Sequence, residues 1–246
     1  MTFTDDEIER YARHLVLAEV GGPGQQRLKA ARVGLIGLGG VGAPAALYLA
    51  AAGVGTLRLV DDDAVALSNL QRQIAFDAAD IGRPKVEAGA AALTALNPHV
   101  RIEPVAERLT AGNADDLVAG CDVVIDGTDD FATRFAVNAA CVAAGVPLAS
   151  GALGRWSGQV GVFAGRPCYR CLVPAVPPDA ETCARVGVVG ALAGVVGSMA
   201  ALEAIKLIVG AGAPLAGRLL IYDGLAGTAR TVAVAADPDC PVCSRG

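Results

Sequence analysis

No run of lysines or arginines occurs in this 246-residue sequence, whose formal charge is −5 and whose pI is near 5.0. That excludes a nucleic-acid face and an anionic-membrane anchor, and leaves any bound phosphate to a few local residues. The acidic start, Met1-Thr2-Phe3-Thr4-Asp5-Asp6-Glu7, lacks the basic region and apolar core of a secretory signal, which points to the cytoplasm. There is no internal repeat and no low-complexity tract. A G-x-x-x-x-G-K-[ST] segment is also missing, so a P-loop enzyme is excluded.

The sequence is 53% hydrophobic, ample for the core of one dominant α/β domain. Two uncharged stretches, Val33 to Leu57 and Val186 to Leu202, approach the length of a membrane span. The first is interrupted by Gly37, Gly39, Gly40, Gly42, Gly53 and Gly55, which suits strand, turn, helix and turn. The second carries Gly187, Gly190, Gly194 and Gly197, small residues that let a buried helix lie close to another backbone.

Thr4-Asp5-Asp6-Glu7 reads as a capping box that opens a helix through about Leu15, with Ile8, Tyr11 and Leu15 on one face. Gly21-Gly22-Pro23-Gly24 is expected to end that region. Strands are predicted at 33–36, 56–60, 100–105, 122–125, 146–150 and 159–163, with helices at 43–52, 84–96, 114–118 and 131–144. This alternation gives a Rossmann-like, mostly parallel sheet that binds ligands beyond the carboxyl ends of its strands. From Gly151 the pattern changes: a proline-bearing loop, 174–187, precedes a long small-residue helix to about Gly210. Arg218 to Tyr222 and Thr228 to Val234 then form a hairpin, an antiparallel C-terminal extension.

Gly37-Leu38-Gly39-Gly40-Val41-Gly42 matches G-x-G-x-x-G between a strand and a helix, with Asp61 about 20 residues further on. Glycines let backbone amides approach phosphate oxygens, the helix start adds a positive dipole, and Asp61 can accept from a ribose hydroxyl. The motif alone also fits an NAD-dependent dehydrogenase, although no Tyr-x-x-x-Lys pair is present. The loop Ser68-Asn69-Leu70-Gln71-Arg72-Gln73 and Lys85 favour a triphosphate, because two cations clamp charge that rises during displacement. Asp129 and Asp130 follow a strand at the ligand edge, where a carboxylate can hold Mg²⁺ or cap the next helix.

Cys168-x-x-Cys171 and Cys240-x-x-Cys243 suit a closed four-thiolate zinc site that ties the C-terminus to the domain. Cys121 and Cys141 read as core. Cys183, within Pro177-Pro178-Asp179-Ala180-Glu181-Thr182-Cys183-Ala184-Arg185, is either a usable thiol or an idle surface one.

Taken in order, these residues closely resemble the ubiquitin-activating-enzyme-like adenylyltransferases that activate sulfur-carrier proteins, such as those of molybdopterin synthase and thiamin synthesis. The matching pieces are Arg10-Tyr11-Ala12-Arg13-His14, Gly37 to Gly42, Asp61, Ser68 to Gln73, Gly82-Arg83-Pro84-Lys85, Thr128-Asp129, both cysteine pairs and Thr182-Cys183. The resemblance implies one adenylyltransferase domain over 1–246, with a nucleotide-binding half, 1–150, and a half for carrier, zinc and dimer contacts, 151–246. It implies ATP, Mg²⁺ and Zn²⁺. The Gly-Gly carboxylate of a ubiquitin-like carrier would attack the α-phosphate, and a further protein would donate sulfur. The glycine turn, through Gly40 above all, would contact the nucleotide and Asp61 the ribose, with Asp63, Ser68, Gln71 and Asp130 beside them. Asn69, Arg72 and Lys85 would meet the phosphates, Asp129 the magnesium, and Arg13 the ATP of a homodimer partner. The glycine-spaced helix would help build the dimer contact, and Cys183 would be placed to handle sulfur. One departure is Thr128-Asp129-Asp130, where the family usually has Thr-Asp-Asn; the extra carboxylate is expected to weaken nucleotide affinity or alter the metal demand. A homolog that grips a carrier without activating it is the remaining alternative.

Overall fold

A computed structural model describes residues 2–177 and 187–244. Its strands are β1 (Arg32–Ile36), β2 (Thr56–Val60), β3 (Arg101–Val105), β4 (Val123–Asp126), β5 (Leu148–Gly154), β6 (Ser157–Phe163), β7 (Arg218–Asp223) and β8 (Thr228–Ala233). They form one sheet in the order β3-β2-β1-β4-β5-β6-β7-β8. The first five neighbours run parallel and the last three strands join antiparallel. The expected α/β sheet and the C-terminal hairpin are both present.

The helices are α1 (Asp5–Arg10), α2 (Ala12–Leu15), α3 (Gly21–Ala30), α4 (Gly42–Ala51), α5 (Lys85–Leu96), α6 (Ala114–Val118), α7 (Phe131–Ala144), α8 (Tyr169–Leu172) and α9 (Gly190–Val209). The central strands are apolar on both faces because helices cover both. On β4, Val123 and Ile125 enter the core formed with Leu35, Leu49 and Val196, whereas Val124 enters the opposite core with Val118 and Val137. Among the described residues, α9 is the one helix long and apolar enough to cross a membrane. It packs instead on α4, β5 and β6. A Cβ at Gly197 would lie 2.4 Å from Val41 O, and one at Gly190 would lie 2.3 Å from Gln71 O. These two glycines therefore serve close packing within the chain, while Gly194 faces open space.

Three expectations for the N-terminus are corrected. The capping box is present, Thr4 Oγ1 accepting from Glu7 N and Glu7 Oε2 from Thr4 N, but the helix breaks at Tyr11 into α1 and α2. The inward face carries the charged Glu7, buried and paired with Lys29 at 2.7 Å, while Ile8 is 48% exposed. Third, Gly21 to Gly24 open α3 rather than ending a region. Pro23 lies in its first turn, where a helix needs no amide. Farther along, β5 begins at Leu148 and extends past the expected break at Gly151 to Gly154, held by pairing with β6.

Candidate active site

The chain leaves β1 for β2 and β3 on one side and returns to β4 and β5 on the other. The gap between the carboxyl ends of β1 and β4 is therefore a topological switch point, where open α/β sheets bind ligands. A cavity of about 550 Å³ lies there, walled by Gly37, Gly39, Gly40 and Val41 from the turn after β1 and by Gly127 to Asp130 from the turn after β4. The two turns touch. A Cβ on Gly42 would sit 1.9 Å from Gly37 O, and one on Gly127 would sit 2.8 Å from Gly42 N. Gly37 itself has φ +81°, a conformation that favours glycine. Gly42 thus closes the turn while Gly39 and Gly40 face the cavity. Gly42→Ala is expected to displace the turn, lower stability by about 1–3 kcal/mol and abolish nucleotide binding. Unchanged melting and binding would overturn that reading.

Asp61 directly follows β2, with its side chain 8% exposed. Its Oδ2 accepts from Leu38 N at 2.6 Å and its Oδ1 from Asp63 N at 2.9 Å, which ties the carboxylate to the glycine turn. Burial pushes its pKa up, against the opposing pull of Lys85 and those two amides. Lys85 Nζ, buried at the start of α5, lies 2.6 Å from Asp63 Oδ2 and 3.7 Å from Asp61 Oδ1. Asp61, Asp62 and Asp63 are grouped closely enough to hold a cation, and the Lys85 ammonium stands between two of them.

Asn69 and Arg72 also line the cavity, on the loop after β2. Asn69 Oδ1 accepts from Ala66 N, shaping the loop, and Arg72 Nη1 donates to Ser68 O at 3.1 Å. Ser68 and Gln71 lie off the cavity wall, with Gln71 Nε2 donating to Val188 O at 3.1 Å. Arg13 is exposed on α2, away from the wall. Cys183 lies outside the described residues.

The acidic run after β4 separates into three tasks. Asp126 is buried and accepts from Thr128 N, Thr128 Oγ1 and Ser150 Oγ, with Arg134 Nη1 3.4 Å away. Arg134 also donates to the carbonyls of Thr128 and Gly151, so it fixes this turn from beneath. Asp130 caps α7, accepting from Ala132 N, Thr133 N and Thr133 Oγ1. Partial burial opposes its ionisation, but the Thr133 bonds and Arg108 outweigh that and hold its pKa below the usual carboxylate value. Its stabilising effect is present above about pH 4, the ordinary carboxylate value, and is lost as pH falls through the lowered one. Asp129, exposed at the wall, remains the carboxylate offered to a ligand.

Sequence reasoning gave no role to several polar wall residues, three of which stand out. Gln73 is buried with its Oε1 lacking a hydrogen-bond partner, Arg108 pairs with Asp130 at 3.2 Å, and Arg134 is buried. Gln73 closed the recognised loop 68–73 but was given no role of its own. Arg108 and Arg134 are isolated arginines, with no spacing signal to mark them.

Behind the wall, the four sulfurs of Cys168, Cys171, Cys240 and Cys243 lie within 4.8 Å of one another. Cys168 Sγ is 3.6 Å from Cys240 Sγ and Cys171 Sγ is 3.4 Å from Cys243 Sγ. Four thiolates around one zinc ion at about 2.3 Å would stand about 3.8 Å apart, so the donor set fits. Despite burial, the amides of Cys243 and Val242 pull the Cys240 thiol down to about 7, while burial and the neighbouring thiols push Cys168 and Cys243 up, so the support for a metal is the sulfur geometry. This cluster could hold a metal. Cys121 and Cys141 are buried, and burial pushes Cys141 up to about 12, as suits core thiols.

The ThiF family pattern matches residues 11–242, nearly the whole chain. The chain belongs to the ThiF family. It is 47% identical to the SAMP-activating enzyme E1 of Haloferax volcanii over 98% of this chain and 90% of that one. It is 45% identical to the molybdopterin-synthase adenylyltransferase of Escherichia coli over 98% of each. Among solved structures, E. coli MccB with ATP aligns at a TM-score of 0.79 and 25% identity, covering 95% of this chain and 74% of that one.

Proposed function

We propose that this enzyme adenylates the C-terminal Gly-Gly carboxylate of a small ubiquitin-like sulfur-carrier protein, using ATP and releasing pyrophosphate. This is the activating step before thiocarboxylate formation in molybdopterin or thiamin biosynthesis. The observation that carries the reading is the convergence of Arg72, Lys85, Asp61 and Asp129 with the glycine turn on one cavity. A hydride-transfer enzyme needs no such pairing of cations with a metal-type carboxylate, which disfavours the dehydrogenase alternative.

The carrier carboxylate is already ionised at neutral pH and needs no general base. Its oxygen attacks the α-phosphorus, the bond from that phosphorus to the bridging oxygen breaks, and pyrophosphate leaves with the electron pair. The product is an acyl-adenylate. Catalysis is then positioning and charge stabilisation. Asp61 orients the ribose, the glycine turn and Asn69 hold the phosphates, and Arg72 and Lys85 take up the charge that moves to pyrophosphate. Magnesium held by Asp129 would neutralise phosphate oxygens, and zinc in the four cysteines would serve structure, since a closed thiolate set has no open position.

Arg13, exposed on the surface of α2, is assigned to the ATP site of a second copy in a homodimer. The halves 1–150 and 151–246 divide nucleotide binding from carrier, zinc and dimer contacts. Sulfur comes from a separate donor protein, with Cys183 the thiol assigned to its transfer, and the enzyme works in the cytoplasm. ATP–pyrophosphate exchange is expected with molybdopterin-type, thiamin-type or related carriers, and is expected to vanish when the carrier's last glycine is removed. Failure of every Gly-Gly-ended carrier to support exchange would sink the proposal.

A further inference from the structure

The cavity wall carries six carboxylates, Asp61, Asp62, Asp63, Glu107, Asp129 and Asp130, and four cations, Arg72, Lys85, Arg108 and Arg134. A polyanionic substrate entering it meets an excess of negative charge. Two of the cations are already engaged, Lys85 by Asp61 and Asp63 of the wall itself and Arg134 by Asp126 beneath it. Arg108 differs from both. Its side chain is 59% exposed, it follows β3 rather than the phosphate loop, and its Nη2 lies 3.2 Å from Asp130 Oδ2. That same Oδ2 accepts from Thr133 N at 3.0 Å and Thr133 Oγ1 at 2.5 Å, while Oδ1 accepts from Ala132 N at 3.3 Å. The Asp130 charge is thus turned away from the cavity on one side by the α7 cap and countered on the other by Arg108.

We propose that Arg108 is a positioning residue of the nucleotide site: by pairing with Asp130 it neutralises the second carboxylate at the end of β4. Of the two carboxylates that follow β4, Asp129 is then the one left to present its charge to a metal-bound triphosphate. Without Arg108, Asp130 keeps its α7 cap bonds but loses its countercation one residue from Asp129, and its charge then repels the phosphates. Because the pair is partly exposed, the effect is moderate and screened by salt. The identity of the ligand as MgATP rests on the adenylyltransferase reading; the charge arrangement does not.

The test measures MgATP binding by calorimetry without carrier, and KM and kcat in exchange with carrier, for the full chain and for Arg108→Ala, Asp130→Asn and the double variant. Asparagine caps a helix about as well as aspartate, so Asp130→Asn keeps α7 while removing the charge. Arg108→Ala is expected to raise Kd and KM for MgATP about three- to fivefold with kcat unchanged, as fits a partly exposed charge. The rise is expected to shrink below about twofold in roughly 0.5 M KCl. Adding Asp130→Asn is expected to return both constants to within about twofold of wild type. A loss that Asp130→Asn does not restore would mean that Arg108 touches the nucleotide itself and would overturn the proposal. Unaltered constants in Arg108→Ala would overturn it too. A wild type that binds MgATP yet supports no exchange counts against the proposed activity alone, because the calorimetric comparison still decides the role of Arg108.

Discussion

Lys85→Ala and Asp129→Ala are each expected to lower ATP–pyrophosphate exchange by at least about 100-fold, the usual cost of deleting one preorganised charge at a reacting phosphate or oxyanion. The reasons differ. Lys85 is buried and close to two carboxylates, so its loss removes the cation assigned to the phosphates in the proposed reaction and takes the countercharge from Asp61 and Asp63. Some stability is therefore lost with activity, about 1–3 kcal/mol for the buried Asp61, whereas Asp63, 67% exposed, remains solvated. Asp129 is exposed and its replacement leaves Asp126, Arg134 and the Asp130 cap in place, so the fold is expected to melt as in wild type. Its deficit is expected to depend on magnesium concentration, as a lost ligand would, whereas that of Lys85→Ala is not. Both variants are expected to retain one zinc per chain. Exchange retained in both would refute the assignment of the site.

Removal of Cys240 is expected to have the largest effect on stability. Cys240 is fully buried in a satellite cluster with Cys168, Cys243 and Val242, too few apolar contacts to hold the C-terminal segment by themselves. A metal bound only by the folded chain adds its binding free energy to folding. Cys240→Ala is expected to lose the zinc and at least about 3 kcal/mol, roughly 6–12 °C in melting temperature for a chain of this length. A strong chelator is expected to produce the same drop in wild type and none in the variant. Undiminished zinc content in Cys240→Ala, read by elemental analysis, would contradict the four-thiolate site. Tyr169, between Cys168 and Cys171, also lines the cavity, and its ring lies 5.9 Å from the Arg134 guanidinium. Loss of zinc is accordingly expected to weaken nucleotide binding as a second consequence.

Much of the candidate site was legible from spacing, because its logic is local. A strand, a glycine turn and a helix start lie within about a dozen residues, and the carboxylate that meets the turn directly follows the very next strand. Here Asp61 reaches Leu38 N across neighbouring parallel strands, as the motif implies. The N-terminus misled because local signals competed with tertiary ones. The glycines and proline at 21–24 are turn formers, yet Pro23 is harmless in a first turn, and burial of Gln25 and Leu28 makes the helix worthwhile. Likewise Glu7 outranks Ile8 for the inward position because Lys29 and the capping bonds compensate its burial.

By itself the sequence determined the α/β alternation, the glycine turn between β1 and α4 and the two cysteine pairs, since each depends on residues close together along the chain. Only the tertiary structure decided how three aspartates in five positions divide their work: Asp126 turned into the core by Ser150 and Arg134, Asp130 turned onto α7 and Arg108, and Asp129 left facing the cavity. It also decided that the cysteine pairs, 72 residues apart, meet sulfur to sulfur. The physical reason is the same in both cases. A side chain's partner is chosen by what the fold brings within hydrogen-bonding or ligating distance, and no periodicity along the chain records that.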